Sequence, residues 1–114
     1  MPFDWSLVDA IVEQIPRGRW ASYGDVARAA RLPVGYSKAL GARLASIDLD
    51  AAWRVLDGGG RPSRRFRLGK SQEAGDVADV IDWLKGEGVR FDDRGRARSH
   101  CQLDVSQLRR LLKH

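Results

Sequence analysis

The pattern that most constrains the fold begins at Ser22, where a capped helix is followed closely by a turn and a further helix. Ser22 and Asp25 fit the S-x-x-D capping pattern, in which the serine accepts a bond from an otherwise unpaired helix N–H group. Asp25 would also face the positive end of the helix dipole. Pro33 bars continuation of this helix, because proline cannot donate the next helical hydrogen bond.

The turn that contains Pro33 and Gly35 leads to another helix, which is predicted to start near Tyr36 or Ser37. Large apolar residues recur there at every fourth position, which is typical of a helix face that packs against a core. This stripe is Tyr36, Leu40 and Leu44. Two short helices joined by a tight Pro/Gly turn predict a helix-turn-helix unit.

Two other segments have the spacing of amphipathic helices. The first would be capped by Asp4 or Ser6, and Pro16 would end it. Its inner stripe is Leu7, Val8, Ile11, Val12 and Ile15. The later helix would end at Gly86 or Gly88. Its stripe is Val77, Val80, Ile81 and Leu84.

Short strands and turns are predicted around these helices. Trp53–Leu56 is compatible with a strand closed by the turn at Gly58–Gly60, or with a buried loop. Val89–Phe91 is predicted as a small strand, with which Leu103 and Val105 would pair. A short terminal helix is predicted from Leu108, Leu111 and Leu112.

Composition excludes several classes of protein. No stretch of the 114 residues is apolar enough to span a membrane, and the N-terminus lacks the basic region of a secretory signal. The single cysteine, Cys101, excludes a disulfide framework and multi-cysteine metal sites, and we expect it to be a small buried apolar residue rather than a nucleophile. With only two histidines in the chain, no metal site is predicted. We expect a cytoplasmic protein, associated with the nucleoid if it is bacterial.

The charges are distributed unevenly. The net charge is +5, and residues 17–43 contain six basic residues and one acid. Residues 61–70 add five basic residues, whereas residues 71–87 are mainly acidic. One interpretation is an ordinary solvated surface. The other is a basic face that docks on nucleic acid and an acidic back.

Four segments then occur in an order that resembles a known family. They are I-P-R-G-R-W-A-S-Y-G-D-V-A at 15–27, K-A-L-G at 38–41, W-R-V at 53–55 and E-G-V-R-F at 87–91. This set resembles the DNA-binding domain of the O6-alkylguanine-DNA alkyltransferases, and more closely their catalytically silent relatives, the alkyltransferase-like proteins. The likeness spans residues 4–91.

The resemblance implies an α/β, mostly helical, winged helix-turn-helix-like domain. Its DNA-binding domain would be residues 1–96, with residues 97–114 as an extension packed on the same domain. The family enters the minor groove and flips an O6-alkylguanine out of the duplex. By this likeness Tyr23 would push a phosphate, Lys38 would fill the gap in the duplex, and Gly41 would let the helix approach DNA closely. We expect Tyr23 to be an exposed aromatic residue beside the basic patch.

The family's reactive motif is altered in this chain. Aligned on Arg54 and Val55, the proline, cysteine and histidine of the motif become Ala51, Ala52 and Trp53. Ala52 offers no thiolate, so alkyl transfer by that route is excluded and no enzymatic activity is predicted. The lesion pocket would be formed by Ala52, Trp53, Arg54 and Val55. Two alternatives stay open: Trp53 is a pocket wall or plain core, and Arg54 is a pocket residue or a structural tie to backbone carbonyls.

Double-stranded DNA is therefore the predicted partner of a monomer that needs no cofactor and no membrane. The phosphate backbone of the DNA would be contacted by helix N-terminal groups and by basic side chains. The residues concerned are Arg17, Arg19, Ser22, Arg28, Arg31, Ser37, Lys38 and Arg43. The resemblance also implies that the bound lesion is handed to nucleotide excision repair proteins. The alternative function is a DNA-binding regulator or accessory subunit with no lesion preference.

Overall fold

The computed structural model describes residues 5–33, 35–47, 49–63 and 77–113. Helices dominate, and two very short strands join the halves of the chain. The elements are α1 (Trp5–Glu13), β1 (Ala21–Ser22), α2 (Tyr23–Ala29), α3 (Ser37–Ser46), β2 (Val55–Leu56), α4 (Val77–Gly86) and α5 (Val105–Arg110). Single 3-10 turns lie at Ala52–Arg54, Ser99–Cys101 and Leu111–Lys113.

Helix α1 buries the predicted stripe and ends before Pro16. Val8, Ile11 and Val12 are fully buried, and Ile15 follows them into the core after the last helical turn. Ser6 lies inside the helix, so the prediction that it caps α1 is wrong. Asp4, the other predicted cap, lies outside the described residues.

The helix-turn-helix prediction is confirmed in its local chemistry. The Ser22 side chain accepts a bond from the Asp25 N–H group at 3.1 Å and caps α2. Helix α3 begins at Ser37, and its residues Leu40 and Leu44 are fully buried. Tyr36 precedes the helix and is only half-buried, so it is a weaker member of the predicted stripe.

A parallel pair of strands sets the distance between the helix-turn-helix unit and the loop that follows α3. Ala21 pairs with Val55, and Ser22 pairs with Leu56. The predicted strand therefore starts later than Trp53, because the three residues before Val55 form a 3-10 turn. Since β1 runs directly into α2, this pairing holds the Ala52–Arg54 turn close to the start of that helix.

The C-terminal segment belongs to the same core. Leu108 of α5 is fully buried and α5 packs against α2, which confirms a short terminal helix. The predicted pairing of Leu103 and Val105 with the 89–91 strand is wrong. The Leu103 N–H group donates instead to the Trp20 carbonyl at 2.8 Å, and Val105 opens α5. The carbonyl of the buried residue Trp20 thereby gains the hydrogen-bond donor that a buried backbone group requires.

Among the residues that the structure describes, no helix has the length and apolar character needed to cross a bilayer. The same part of the chain contains no cluster of three side chains suited to hold a metal ion.

Candidate nucleic-acid interface

The first turn of α3 presents polar side chains to solvent. Ser37 and Lys38 are exposed there. Gly41 follows one turn later, and a Cβ atom added to it would meet the Tyr23 ring at 3.8 Å, an ordinary contact distance. Internal packing therefore does not require glycine at this position. Lys38 and Gly41 both lie on α3, the second helix of the helix-turn-helix unit.

Tyr23 opens α2 and lies beneath this surface. Only 9% of it is exposed, so the expectation of an exposed aromatic residue is wrong, and its predicted contact with DNA stays a prediction. Burial raises the pKa of Tyr23 to about 12. A hydrogen bond to the Ser63 side chain opposes this rise, while the Asp57 carboxylate adds to it. The phenol is therefore neutral at physiological pH, and its ring supports α3 from below.

Two of the arginines predicted to contact phosphate are already engaged inside the protein. Arg43 donates to both carboxylate oxygens of Asp9, at 3.2 and 2.6 Å, and lies over the Trp5 ring at 5.1 Å. This hydrogen bonding raises the pKa of Arg43 above its usual value. Arg19 donates through its Nε to the Cys101 carbonyl at 3.1 Å. Arg43 thus ties α3 to α1, and Arg19 ties the first loop to the C-terminal segment.

The other predicted arginines face water. Arg17 and Arg31 are exposed. The Arg28 side chain is 73% exposed and forms an i,i+3 pair with Asp25 at 3.0 Å. An exposed pair of this kind holds its partner weakly. Arg17, Arg28 and Arg31 therefore remain accessible to an anionic partner.

The loop aligned with the family's reactive motif has an unusual backbone. Ala51 has a φ of 67°, in the left-handed region, and only 1% of it is exposed. Proline, with φ near about −65°, does not adopt this conformation. The backbone at Ala51 is therefore not one that the motif's proline would occupy. Ala52, at the position of the motif's cysteine, is also 1% exposed and carries only a methyl group.

Glu87 gathers the polar groups of this loop. Its carboxylate accepts from the Trp53 Nε1 at 3.2 Å to each oxygen, and from Arg54 at 3.0 and 2.7 Å. The Arg54 and Glu87 side chains are 11% and 4% exposed. Arg54 also donates to the Ile15 carbonyl at 2.5 Å, which confirms its interpretation as a structural tie.

Aromatic contacts complete the surroundings of Trp53, which is half-buried. Its ring meets Trp83 edge-on, with centroids 5.9 Å apart and planes at 79°. The Arg54 guanidinium lies 5.4 Å from the centroid of the Trp53 ring. Trp83 is 51% exposed and borders a cavity of about 250 Å³, together with Arg17 and Glu87. We name Trp53, Arg54, Glu87 and Trp83 the Glu87 cluster.

Both oxygens of the Glu87 carboxylate are occupied, since each accepts one bond from Trp53 and one from Arg54. Cys101 is a free thiol, but it is 6% exposed, which confirms that it is a small buried residue. The glycines after Asp57 form a turn, as predicted, in which the Asp57 N–H group donates to the Arg61 carbonyl at 2.9 Å.

Sequence reasoning missed several residues at these surfaces. Asp9, Asp57 and Ser63 became significant only through contacts made with residues distant in the chain. Trp83 could have been identified from the sequence. It is a large aromatic residue that lies outside the apolar stripe of its helix, on the side that otherwise carries acidic residues. Among the basic residues predicted at 61–70, Arg64, Arg65, Arg67 and Lys70 lie outside the described residues.

Together, the mostly helical architecture, the small parallel sheet and the helix-turn-helix unit define an alkyltransferase-like DNA-binding fold. No family model matches the chain, and no curated protein matches it. Among solved structures, the chain is similar to S. pombe Atl1 in complex with damaged DNA containing O6-carboxymethylguanine. The TM-score is 0.67 and the sequence identity is 22%; the match covers 91% of this chain and 99% of the Atl1 chain. This likeness confirms the fold that the sequence resemblance implied.

Proposed function

We propose that this protein binds duplex DNA and recognises a damaged guanine without reacting with it. The observation that carries the proposal is the exposed start of α3 within a fold shared, over 91% of the chain, with a protein whose structure contains damaged DNA. Lys38 projects from that start and has no carboxylate partner among the described residues. The accessible arginines 17, 28 and 31 would add sequence-independent affinity by pairing with phosphates.

The docking mode we propose is entry of α3 into the minor groove with extrusion of one nucleotide. Extrusion costs a few kcal/mol of stacking and pairing, and a side chain must occupy the vacancy. Lys38 combines an apolar stem with a terminal charge that pairs with phosphate. Gly41 would allow the helix backbone to approach the duplex, since nothing inside the protein requires glycine there.

The extruded base would be read beside the Glu87 cluster and left unmodified. Ala52 has no nucleophilic atom, and the donors around Glu87 leave no base to activate one. Trp53, which is half-buried, would provide the aromatic ring on which a base stacks. We propose that the bound complex, a cytoplasmic monomer on DNA, then marks the site for nucleotide excision repair proteins.

A second candidate is a DNA-binding regulator or accessory subunit with no preference for lesions. The observation that favours it is the rigidity of the Glu87 cluster, because the Trp53 indole is held by Glu87, Arg54 and Trp83 at once. A Trp53 ring held in this way could line a base-binding pocket only for a base that fits without displacing the ring.

A binding comparison tests both candidates. Fluorescence anisotropy at matched salt would measure affinity for one duplex with guanine and for the same duplex with O6-methylguanine. We expect tighter binding to the lesion, and equal affinities would favour the regulator. Lys38→Ala should weaken binding to both duplexes by about tenfold. Arg110→Ala, which removes an exposed charge on α5, is the matched control and should leave binding unchanged.

A further inference from the structure

A hairpin on the C-terminal side of α4 carries charges that the proposed docking mode does not use. Phe91 and Ala97 form an antiparallel bridge, and the Arg98 N–H group donates to the Arg90 carbonyl at 2.8 Å. This register places Arg90 and Arg98 directly opposite each other. Ala97 is buried, whereas both arginines are exposed.

Two like charges at opposing positions of a ladder destabilise it, because the Cβ atoms are only about 5 Å apart. The neighbouring pair behaves differently: Arg96 and Asp92 form a salt bridge at 3.0 Å. Among the residues that the structure describes, no carboxylate pairs with Arg90 or Arg98. An anion that bound both arginines would offset this juxtaposition of like charges.

A cavity adjoins Arg98, one member of this arginine pair. It has a volume of about 470 Å³, and the Trp20 indole and the Gly58–Gly59 turn form part of its lining. Its basic lining residues are Arg96, Arg98 and His100. The acid in the lining, Asp92, accepts bonds from the backbone N–H groups of Arg96 and Arg94 and from the Arg96 guanidinium, which lower its pKa. The surplus charge in the cavity is therefore positive.

The Asp57–Gly60 turn connects this cavity to the helix-turn-helix side of the molecule. Asp57 acts electrostatically on Tyr23 under α3, and the next two residues, Gly58 and Gly59, line the cavity. A Cβ atom added at Gly58 would meet nothing within 4 Å, so this wall is open to a partner. The turn also contacts the hairpin directly, because the Ala97 N–H group donates to the Gly60 carbonyl at 2.8 Å.

We propose that the hairpin and its cavity form a second DNA-binding site, which takes phosphodiester groups of a strand beyond the footprint of α3. The proposal rests on the proposed function, because it extends the same duplex. A phosphodiester offers two unbridged oxygens, which a guanidinium binds in a bidentate manner. Several positive charges along one ribbon match a polyanion better than a single small ion. We name residues 90–100 with the Gly58–Gly59 turn the hairpin site.

Salt dependence of binding on duplexes of two lengths tests the hairpin site. The short duplex would have about one helical turn, enough for α3 alone, and the long duplex about three turns. Each lost phosphate contact lowers the slope of log affinity against log salt by about 1. We expect Arg98→Gln to lower the slope by about 1, and the Arg90→Gln/Arg98→Gln double variant by about 2, on the long duplex only.

Controls separate this inference from the proposed function. Arg110→Gln removes the same charge from α5 and should change neither slope, while Lys38→Gln should lower the slope on both duplexes. If the hairpin variants change nothing while Lys38→Gln does, the hairpin site is refuted and the proposed function survives. A loss that is equal on both lengths, or matched by Arg110→Gln, also refutes the site. If the unaltered protein binds neither duplex, the proposed function itself fails. Melting curves of each variant establish that it is folded.

Discussion

The start of α3 and the Glu87 cluster use their polar groups in opposite ways. At α3, Lys38 is exposed and has no ion-pair partner among the described residues. In the cluster, Glu87 receives bonds from Trp53 and Arg54, and Arg54 reaches a backbone carbonyl as well. Unsatisfied exposed charges are available to a ligand, whereas satisfied buried charges hold structure. The Glu87 cluster therefore has a scaffold role, in which its buried charges hold the loop in place, whereas the Lys38 charge is available to a ligand.

Removing Glu87 gives the largest expected effect on this comparison. Glu87→Ala leaves the buried Arg54 guanidinium without a counter-charge, which typically costs about 3–5 kcal/mol. Urea unfolding would measure the free-energy loss. Asp82→Ala, on the exposed face of α4, which ends one residue before Glu87, is the matched control and should change stability by less than about 0.5 kcal/mol. Similar losses in both variants would contradict the scaffold role.

Alkaline pH tests the burial of Tyr23. Its pKa is raised to about 12 in the folded protein, so the folded state holds the proton where the unfolded chain has lost it. Stability is therefore fully present below about pH 10 and falls between about pH 10 and pH 12, by about 3 kcal/mol in total.

Unfolding free energies measured across that pH range would show the loss of stability, and Tyr23→Phe should remove the part of the loss that comes from the Tyr23 phenol. Tyr36→Phe is the matched control and should retain the fall. A Tyr23→Phe protein that loses stability as steeply as the unaltered one would place the Tyr23 ring outside the core.

Arg43 and Lys38 sharpen the distinction between paired and available charges on one helix. Arg43→Gln breaks the Asp9 ion pair, so it should cost about 1 kcal/mol of stability and leave the salt dependence of DNA binding unchanged. Lys38→Gln should do the reverse: it should leave stability intact and lower the salt slope by about 1. Paired measurements of unfolding and binding check both. If Arg43→Gln lowered the salt slope as much as Lys38→Gln does, the ion pair between Arg43 and Asp9 would have to open when DNA binds.

The smallest expected effect concerns the backbone at Ala51. A left-handed conformation costs an L-residue about 1–2 kcal/mol, and glycine avoids that cost at an entropic penalty of about 0.5–1 kcal/mol. Ala51→Gly should therefore stabilise the fold by about 0.5–1 kcal/mol. Ala52→Gly, in the helical turn beside it, should instead destabilise it. Thermal unfolding of the two variants compares the signs.

Much of the fold was predictable because its signals are local. Ser22 and Asp25 are three residues apart, Pro33 stops the chain from continuing a helix, and Leu40 and Leu44 lie on one helical face. The candidate site was predictable only in part. Lys38 and Gly41 were named from sequence, but the engagement of Arg43 with Asp9 was not, because the two residues are 34 positions apart.

The sequence by itself determined where helices start and stop, which residues face the core, and that alanine, at position 52, aligns with the cysteine of the family it resembles. These properties depend on neighbours within a few residues, where propensity and capping act. Only the tertiary structure decided that Tyr23 is buried, that Leu103 pairs with Trp20, and which charged side chains form ion pairs within the protein. Those outcomes depend on groups brought together by packing, and no local pattern specifies which distant partner a charge or an unpaired backbone group will meet.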